Sequence, residues 1–507
     1  MSNHLYSAIE AANPDRKKTL IELADGKRLS YGEVFSLAEK LASHLVRSGV
    51  VPGDRVAVQV EKSWQNLALY LACIRAGAVY LPLNTAYPLP ELEYFLGDAQ
   101  PSFIVVQPGS ESGVRGLCQK IGKATVESLG QNGDGTLLTA ATDAPPIKIV
   151  ARAPDDLAAI LYTSGTTGRS KGAMLTHDNL LSNALVLKDY WHFTERDVLL
   201  HALPIFHTHG LFVACNVTLL SGGAMIFLPK FDPATVIRVL PQATSMMAVP
   251  TFYVRLLDEK GFNREATKHM RLFTSGSAPL LAETHRTFFE RSGHAILERY
   301  GMTETNMNTS NPYDGDRVPG TVGLPLPGVE VRVADPETGR AVAKGGVGGL
   351  EVRGPNVFKG YWRMPEKTKA EFRDDGFFIT GDVGKIDGRG YVHIVGRSKD
   401  LVITGGYNVY PKEVESEIDA IDGVIETAVI GCPHPDFGEG VTAIVVREKV
   451  SNLSEGDILT ALEGRLAKFK QPKRVFFVDE LPRNTMGKVQ KNVLRETYAR
   501  IFARGAA

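Results

Sequence analysis

Apolar and polar positions follow two alternating periods over roughly the first 330 residues. TLIELA (19–24) is a short apolar run of the strand type, SYGEVFSLAEKLASHLVRSG (30–49) spaces its apolar residues as an amphipathic helix, and DRVAVQV (54–60) returns to a strand. Ser30 stands at the N-cap of that helix, Glu33 three residues later completes a capping box, and Gly49 marks the stop. SFIVVQ (102–107), MMAVPTFYVRLLDE (246–259) and MRLFTSG (270–276) continue the alternation. Such alternation predicts an α/β fold with layered, largely parallel sheets. The most apolar stretch, LALYLACIRAGAVYLPL (67–83), is broken by Arg75 and Pro82 and reads as a buried helix running into a strand.

The texture changes between about residues 320 and 396. VEVRVADPETG, GGLEVRGPNVFKGYW and GFFITGDVGKIDGRGYVHIVGR are short strands punctuated by Gly, Asp and Pro. After Arg397 the helix and strand patterns PKEVESEIDAI, ETAVIGCP, VTAIVVRE and RVFFVDE fill a length that suits a separate small domain. The expected organisation is an N-terminal domain of residues 1–396, with a β-rich subdomain over about 320–396, and a small mobile α+β domain of residues 397–507.

Composition narrows the function classes. The chain has 507 residues, too many for one core, and its 57 basic and 57 acidic side chains cancel. That balance gives no support for nucleic acid or an anionic membrane as a partner. The N-terminus lacks the apolar core of a signal peptide, and four scattered cysteines form no CxxC pair. A cytoplasmic location is the expectation.

The segment YTSGTTGRSKGAML (162–175) carries the chemistry. Gly165 and Gly168 remove Cβ atoms, the hydroxyls and backbone N–H groups face an anion, and Lys171 adds charge, which together describe a phosphate cradle. It is not a Walker A loop, since Lys171 is followed by Gly172. Taken alone, the same residues also read as a surface turn.

Six further motifs follow in order: LPIFHTHG (203–210), SGSAPL (275–280), YGMTE (300–304), TGD (380–382), GRSKDLVITGGYNVYP (396–411) and PRNTMGKVQK (482–491). With these the chain resembles the adenylate-forming superfamily of acyl- and aryl-CoA synthetases, firefly-type luciferases and peptide-synthetase adenylation domains. PLNTAYPLPELEYFLGDA, LPKFDP, ERYGMTETNMNTSNPYDGDRVPG and FRDDGFFITGD resemble the bacterial malonyl-CoA synthetases more closely.

The resemblance implies a set of roles. Thr163, Ser164, Gly165, Thr166, Thr167, Gly168 and Lys171 hold the β- and γ-phosphates of ATP. Ser277, Ala278, Pro279 and the run Glu298, Arg299, Tyr300, Gly301 and Met302 surround the nucleotide, with Tyr300 stacked on adenine. Thr303 contacts the α-phosphate and Glu304 binds Mg2+, a magnesium site completed by phosphate oxygens. Asp382 accepts both ribose hydroxyls, Arg397 binds ribose or phosphate, and Lys488 neutralises the reacting anions during adenylation. His207 joins Lys488, Thr303 and Glu304 as a catalytic residue. Lys399 is the hinge of a domain rotation that alternately presents Lys488 and the coenzyme A loop Gly405, Gly406, Tyr407 and Asn408. Lys488 is also a candidate substrate of a protein acetyltransferase.

The acid pocket is expected to draw on Thr208, His209, Ser277 and Met307, with Arg286 holding a distal carboxylate. Arg286 falls on one helical face with Ala282 and Phe289, in a helix starting at Pro279 and stopping at Gly293. Arg299, Arg238 and His209 are the competing cations. The implied reaction joins malonate, ATP and coenzyme A into malonyl-CoA through malonyl-AMP, with methylmalonate as a side substrate. The alternatives are a ligase for another short or aromatic acid, an enzyme loading a separate carrier protein, a luciferase-like oxidase and an inactive nucleotide sensor.

Overall fold

The computed structural model describes residues 2–122, 124–163, 170–405, 407–484 and 487–502. The chain divides into two compact units, residues 1–330 with 353–372, and residues 331–352 with 373–507.

The first unit is built on two sheets. β1 (Thr19–Glu22) and β2 (Arg28–Ser30) form an antiparallel pair. β3 (Arg55–Gln59), β4 (Val79–Pro82), β5 (Phe103–Val106), β6 (Thr125–Ser128), β7 (Leu157–Thr163) and β8 (Lys171–Thr176) make a six-stranded sheet in the order β6-β5-β3-β4-β7-β8. β9 (Val198–His201), β10 (Ala224–Phe227), β11 (Ser245–Ala248), β12 (Leu272–Ser275), β13 (Leu297–Met302), β14 (Asn306–Ser310) and β15 (Leu324–Pro325) join β1 and β2 in a nine-stranded sheet, order β15-β14-β13-β12-β11-β9-β10-β1-β2. Most pairings are parallel, as the alternating pattern predicts; the antiparallel ones are β1–β2, β13–β14, β14–β15 and β7–β8. One core packs around Phe273, Phe288, Tyr253 and Met246, the other around Phe95, Leu81, Ile104 and Ile160.

The local signals hold. The helix Tyr31–Arg47 begins with the Ser30–Glu33 capping box, and residues 67–83 form the buried helix Trp64–Arg75 followed by β4. The strand–helix–strand run at 19–60 is nevertheless split: β1 joins the nine-stranded sheet and β3 the six-stranded one. Strand pairing is set by distant partners, which local periodicity does not encode.

Two features position the site. The segment Lys359–Trp362 runs along the free edge of β8, with Met174 N donating to Gly360 O, Lys359 N to Met174 O and Trp362 N to Gly172 O. This covers an edge that would otherwise be open and fixes the β7–β8 hairpin. Behind β14, Asn183 Nδ2 donates to Met307 O at 2.9 Å and its Oδ1 accepts from Met307 N at 3.2 Å.

In the second unit, β16 (Glu330–Ala334), β17 (Gly348–Arg353), β18 (Phe378–Ile386) and β19 (Val392–Arg397) form a sheet in sequence order. β20 (Val402–Thr404), β21 (Tyr407–Val409), β22 (Val424–His434), β23 (Gly438–Arg447) and β24 (Arg474–Val478) form another, with β23 between β20 and β22 and paired in parallel to β24.

Replacing Asn183 by Ala takes the side-chain acceptor from Met307 N and one of two side-chain donors from Met307 O, which keeps Asn356 Nδ2 at 3.2 Å. The expected loss is about 2 kcal/mol of stability, read as a lower urea midpoint at unchanged slope.

Candidate active site

The hairpin β7–β8 carries the Gly- and Thr-rich loop at its tip. Ser164, Gly165, Thr166, Thr167 and Gly168 lie outside the described residues, but their two anchors, Thr163 and Lys171, face each other as cross-strand partners. Lys171 Nζ lies 3.2 Å from Glu371 Oε1 and 4.1 Å from the centroid of the Tyr361 ring. Tyr361 donates its hydroxyl to Glu371 Oε2 at 2.6 Å and also lies 3.1 Å from Glu304 Oε1. A polar network therefore runs from the loop lysine to the carboxylate expected to face the metal. Burial pushes Glu371 upward, but hydrogen bonds from Lys367 and Tyr361 and the charge of Lys171 outweigh it and keep its carboxyl below the usual range. Burial and the neighbouring carboxylates raise the Tyr361 phenol, so it remains protonated and able to donate. Sequence reasoning missed Tyr361 and Glu371; the aromatic GYW run was the available signal.

YGMTE occupies the end of β13 and the turn into β14, with Thr305 N donating to Met302 O at 3.1 Å. Glu304 is buried, and its backbone carbonyl accepts from Phe358 N at 2.7 Å. Tyr300, Gly301, Met302 and Thr303 are half-buried along the same strand end, and Glu298 is buried with Oε1 accepting from Gly320 N. No group of three or more His, Cys, Asp or Glu side chains able to hold a metal occurs among the described residues. One carboxylate fits magnesium, which takes its remaining ligands from phosphate and water.

The polar cluster meant for the acid forms around Arg299 on β13. Its side chain is 3% exposed, and Nε and Nη2 have no partner among the described residues. Gly276 makes this burial feasible: a Cβ there would stand 2.2 Å from Arg299 Nη1. His209 approaches Ser277, Nδ1 to Oγ, at 3.3 Å. Burial, then the charge of Arg299, drives His209 well below the usual imidazole range, so the ring is neutral near pH 7. His209 Nε2 and the buried Thr208 Oγ1 also lack partners among the described residues. Burial alone brings Arg299 down to about 9. Ser277 adopts φ 72°, a left-handed conformation that costs a non-glycine residue of order 1 kcal/mol or more and marks a constrained turn. Ala278 is half-buried and Pro279 exposed on the chain leaving that turn. Met307 is buried on β14, and the His207 ring lies 4.7 Å from that of Phe206, tilted by 51°.

Arg286 does not belong to this cluster. Its side chain is 63% exposed and pairs with Glu283 at 2.5 Å. The helix spans Ala282–Ser292, so Pro279 precedes it instead of opening it, while Gly293 closes it in the left-handed conformation as expected. The buried face is His285, Phe288 and Ser292; the face shared by Ala282, Arg286 and Phe289 points to solvent. Arg238 lies in the short helix Pro233–Val239, outside its buried positions.

In the second unit, Asp382 and Arg397 are cross-strand partners on β18 and β19, joined at 2.7 Å from Nε to Oδ1. Lys399 follows in a single 3-10 turn, Ser398–Asp400, where burial is the main effect lowering it to about 8. Gly405 has φ 57° and donates its N–H to Phe437 O; Tyr407 is exposed and stacks on Phe469 at 4.7 Å. Gly406 lies outside the described residues, and Asn408 pairs through its backbone with Ile403. Lys488 is exposed, its N–H donating to Asn484 Oδ1.

This combination of an α/β scaffold, a hydroxyl-rich hairpin loop and a buried carboxylate at a strand turn is that of the AMP-binding enzymes, and the chain belongs to this family. The AMP-binding enzyme family matches residues 8–362, and the AMP-binding enzyme C-terminal domain matches residues 413–488. Among solved structures, ATP-bound MatB from Rhodopseudomonas palustris is 63% identical, with a TM-score of 0.97 over 99% of this chain and 100% of that one. A feruloyl-CoA synthase from an Amycolatopsis species is 37% identical over 478 residues, 93% of this chain and 94% of its own length. The mitochondrial malonate–CoA ligase of Mus musculus is 36% identical over 512 residues, 92% of this chain and 87% of its own length.

Tyr361→Phe removes the hydroxyl that joins Glu371 to Glu304 while keeping the ring beside Lys171. Its expected effect is a rise of about tenfold in KM for ATP, measured by diphosphate release, with little change in KM for the acid.

Arg299 also makes a pH prediction. A guanidinium that burial depresses from its ordinary high value to about 9 is held more weakly protonated in the folded than in the unfolded chain. The unfolded state therefore binds more protons between those values, and this group's contribution to stability rises with pH from about 9 upward. The loss of its charge should conversely weaken anion binding, so KM for the acid should climb above pH 9, and this rise should vanish in Arg299→Met.

Proposed function

We propose that this chain is an AMP-forming malonate–CoA ligase. The observation that carries the reading is the buried Arg299 guanidinium beside neutral His209 and Ser277, with Nε and Nη2 lacking partners among the described residues. A cation in that state is poorly matched to an acid with an apolar tail and well matched to one with a second carboxylate. The malonate–CoA ligases among the relatives support the same substrate. An aryl acid such as a feruloyl-CoA synthase takes would leave the guanidinium buried and unpaired, so it is the less favoured reading.

One malonate carboxylate attacks the α-phosphorus of ATP and diphosphate leaves. The sulfur of coenzyme A then attacks the acyl carbon of malonyl-AMP, and AMP leaves. The loop between Thr163 and Lys171 is assigned to the β- and γ-phosphates, Thr303 to the α-phosphate and Tyr300 to adenine. Glu304 would hold Mg2+, which supplies charge neutralisation on the phosphates. Asp382 and Arg397 are assigned to the ribose, and Lys488 to the approaching anions. Lys399 is taken as the hinge between the half-reactions, and Gly405–Asn408 as the coenzyme A loop. Thr208 and Met307 would limit bulk at the malonate C2 carbon, leaving methylmalonate as a side substrate. The exposed Lys488 is open to a protein acetyltransferase. No helix among the described residues is long and apolar enough to cross a membrane, in keeping with a cytoplasmic enzyme.

The deciding experiment measures AMP formation with coenzyme A on acetate, malonate, methylmalonate, succinate and benzoate. Wild type should prefer malonate. Arg299→Met should lose about 3–5 kcal/mol of that preference, more than a hundredfold in kcat/KM, while Arg286→Ala should retain it. A wild-type preference for acetate or benzoate would sink the malonate assignment and leave the ligase class standing.

A further inference from the structure

Lys62 is a second buried cation of the first unit, and none of the assignments above uses it. It lies between β3 and the helix Trp64–Arg75 and is 7% exposed. No carboxylate is among the groups that perturb it, and burial brings it down to about 7. Its Nζ lies 2.9 Å from His201 Nδ1 and 2.8 Å from the backbone oxygen of the same histidine, with the Phe227 ring centroid at 4.2 Å. The other imidazole nitrogen, His201 Nε2, lies 2.8 Å from Gly210 O.

These contacts fix the tautomer. A carbonyl oxygen only accepts, so His201 Nε2 carries the hydrogen and donates to Gly210 O. His201 Nδ1 is then a lone pair, filled by an N–H of Lys62. The Cys215 thiol donates to the same Gly210 oxygen at 3.2 Å. Gly210 is fixed sterically as well, because a Cβ there would lie 1.9 Å from Pro204 O. The next residue back along the chain is His209, whose Nδ1 meets Ser277 beside Arg299. Lys62 comes from the end of the six-stranded sheet, His201 from the end of β9 in the nine-stranded sheet, and Gly210 from the helical turn His209–Cys215.

We propose that Lys62 is a positioning residue for the acid pocket, acting through His201 to orient the Gly210 carbonyl and so set the Thr208–His209 segment against Ser277 and Arg299. The claim rests on the pocket assignment made above. Lys62 touches no substrate in this scheme. The relay has one nitrogen–nitrogen contact at 2.9 Å and two nitrogen–oxygen contacts at 2.8 Å among buried groups, and the weaker thiol donor Cys215 is the other group on the Gly210 oxygen. A lysine retained in the interior without a carboxylate costs stability, which a purely structural role would not favour over an apolar side chain of similar length.

The test compares Lys62→Met, His201→Leu, His201→Gln and the Lys62→Met/His201→Leu pair with wild type. The assay is malonate-dependent AMP formation, with KM for malonate and for ATP and thermal melting recorded for each. Lys62→Met should raise KM for malonate about tenfold or more, leave KM for ATP within about twofold and melt no lower than wild type. His201→Gln keeps one donor and one acceptor and should recover most of the loss seen in His201→Leu. The double variant should be no worse than His201→Leu alone, as expected for two members of one chain. An unchanged malonate KM in Lys62→Met overturns the relay, as does a parallel rise in both KM values with a lower melting point. If Lys62→Met does not fold, the histidine pair decides, and a His201→Gln no better than His201→Leu overturns the proposal. Arg299→Met in the same assay separates the two claims. An unchanged malonate KM there removes the pocket assignment and the relay with it; a raised one beside an unaffected Lys62→Met removes the relay alone.

Discussion

The first unit is organised around a buried guanidinium. Arg299 is sealed within β13, with Nε and Nη2 unsatisfied among the described residues. Pairing it with a buried carboxylate would relieve the burial cost and would also consume the charge that an anionic substrate needs. The surroundings keep that charge available. Gly276 lets the guanidinium lie against backbone, and His209 stays uncharged beside it. Tyr253, near enough to interact electrostatically with Arg299, gives its hydroxyl to Thr274 O. The apolar packing of Phe273, Phe288 and Met246 in the adjoining core offsets what the isolated cation costs.

In the second unit several carboxylates are closed by basic side chains. Glu351 is buried between Arg332 and Arg373, Asp382 is closed by Arg397, Glu415 by Lys491 and Glu426 by Arg483. Arg483 also donates to Gly487 O, so both ends of the segment bearing Lys488 are tied to acidic side chains of the same unit. Asp419 departs from this pattern, with burial raising it to about 7.

Much of this was legible in the sequence where the signal is local. The Ser30 cap and the buried 67–83 run each depend on neighbours a few residues away. The sorting of β1 and β3 into different sheets was not, because it depends on partners far along the chain. Arg286 shows the limit of helical spacing: Ala282, Arg286 and Phe289 do share one face, but spacing does not say that this face is the one turned to solvent. Arg299 sits in a strand where successive residues, Leu297, Glu298 and Arg299, are all buried, so no alternation announced its direction. Its signal was the small Gly276 in SGSAPL, visible only once β12 and β13 are paired. Tyr361 and Glu371 were hidden for the same reason, since they reach Lys171 from almost two hundred residues away.

The path of the chain between the two units has a consequence for how such a protein is taken apart or recombined. The backbone leaves the first unit after residue 330, returns at 353 and leaves again after 372. The returning piece includes Lys359–Trp362, the cover of the β8 edge, and the side chains of Tyr361 and Glu371. A fragment ended at the first crossing would expose the β8 edge and lose the Tyr361 and Glu371 neighbours of Lys171. Modular exchange at a single junction therefore transfers an incomplete body. An exchange of the proposed acid pocket between relatives is simplest inside residues 200–310, where His209, Ser277, Arg299 and Met307 all lie on uninterrupted chain.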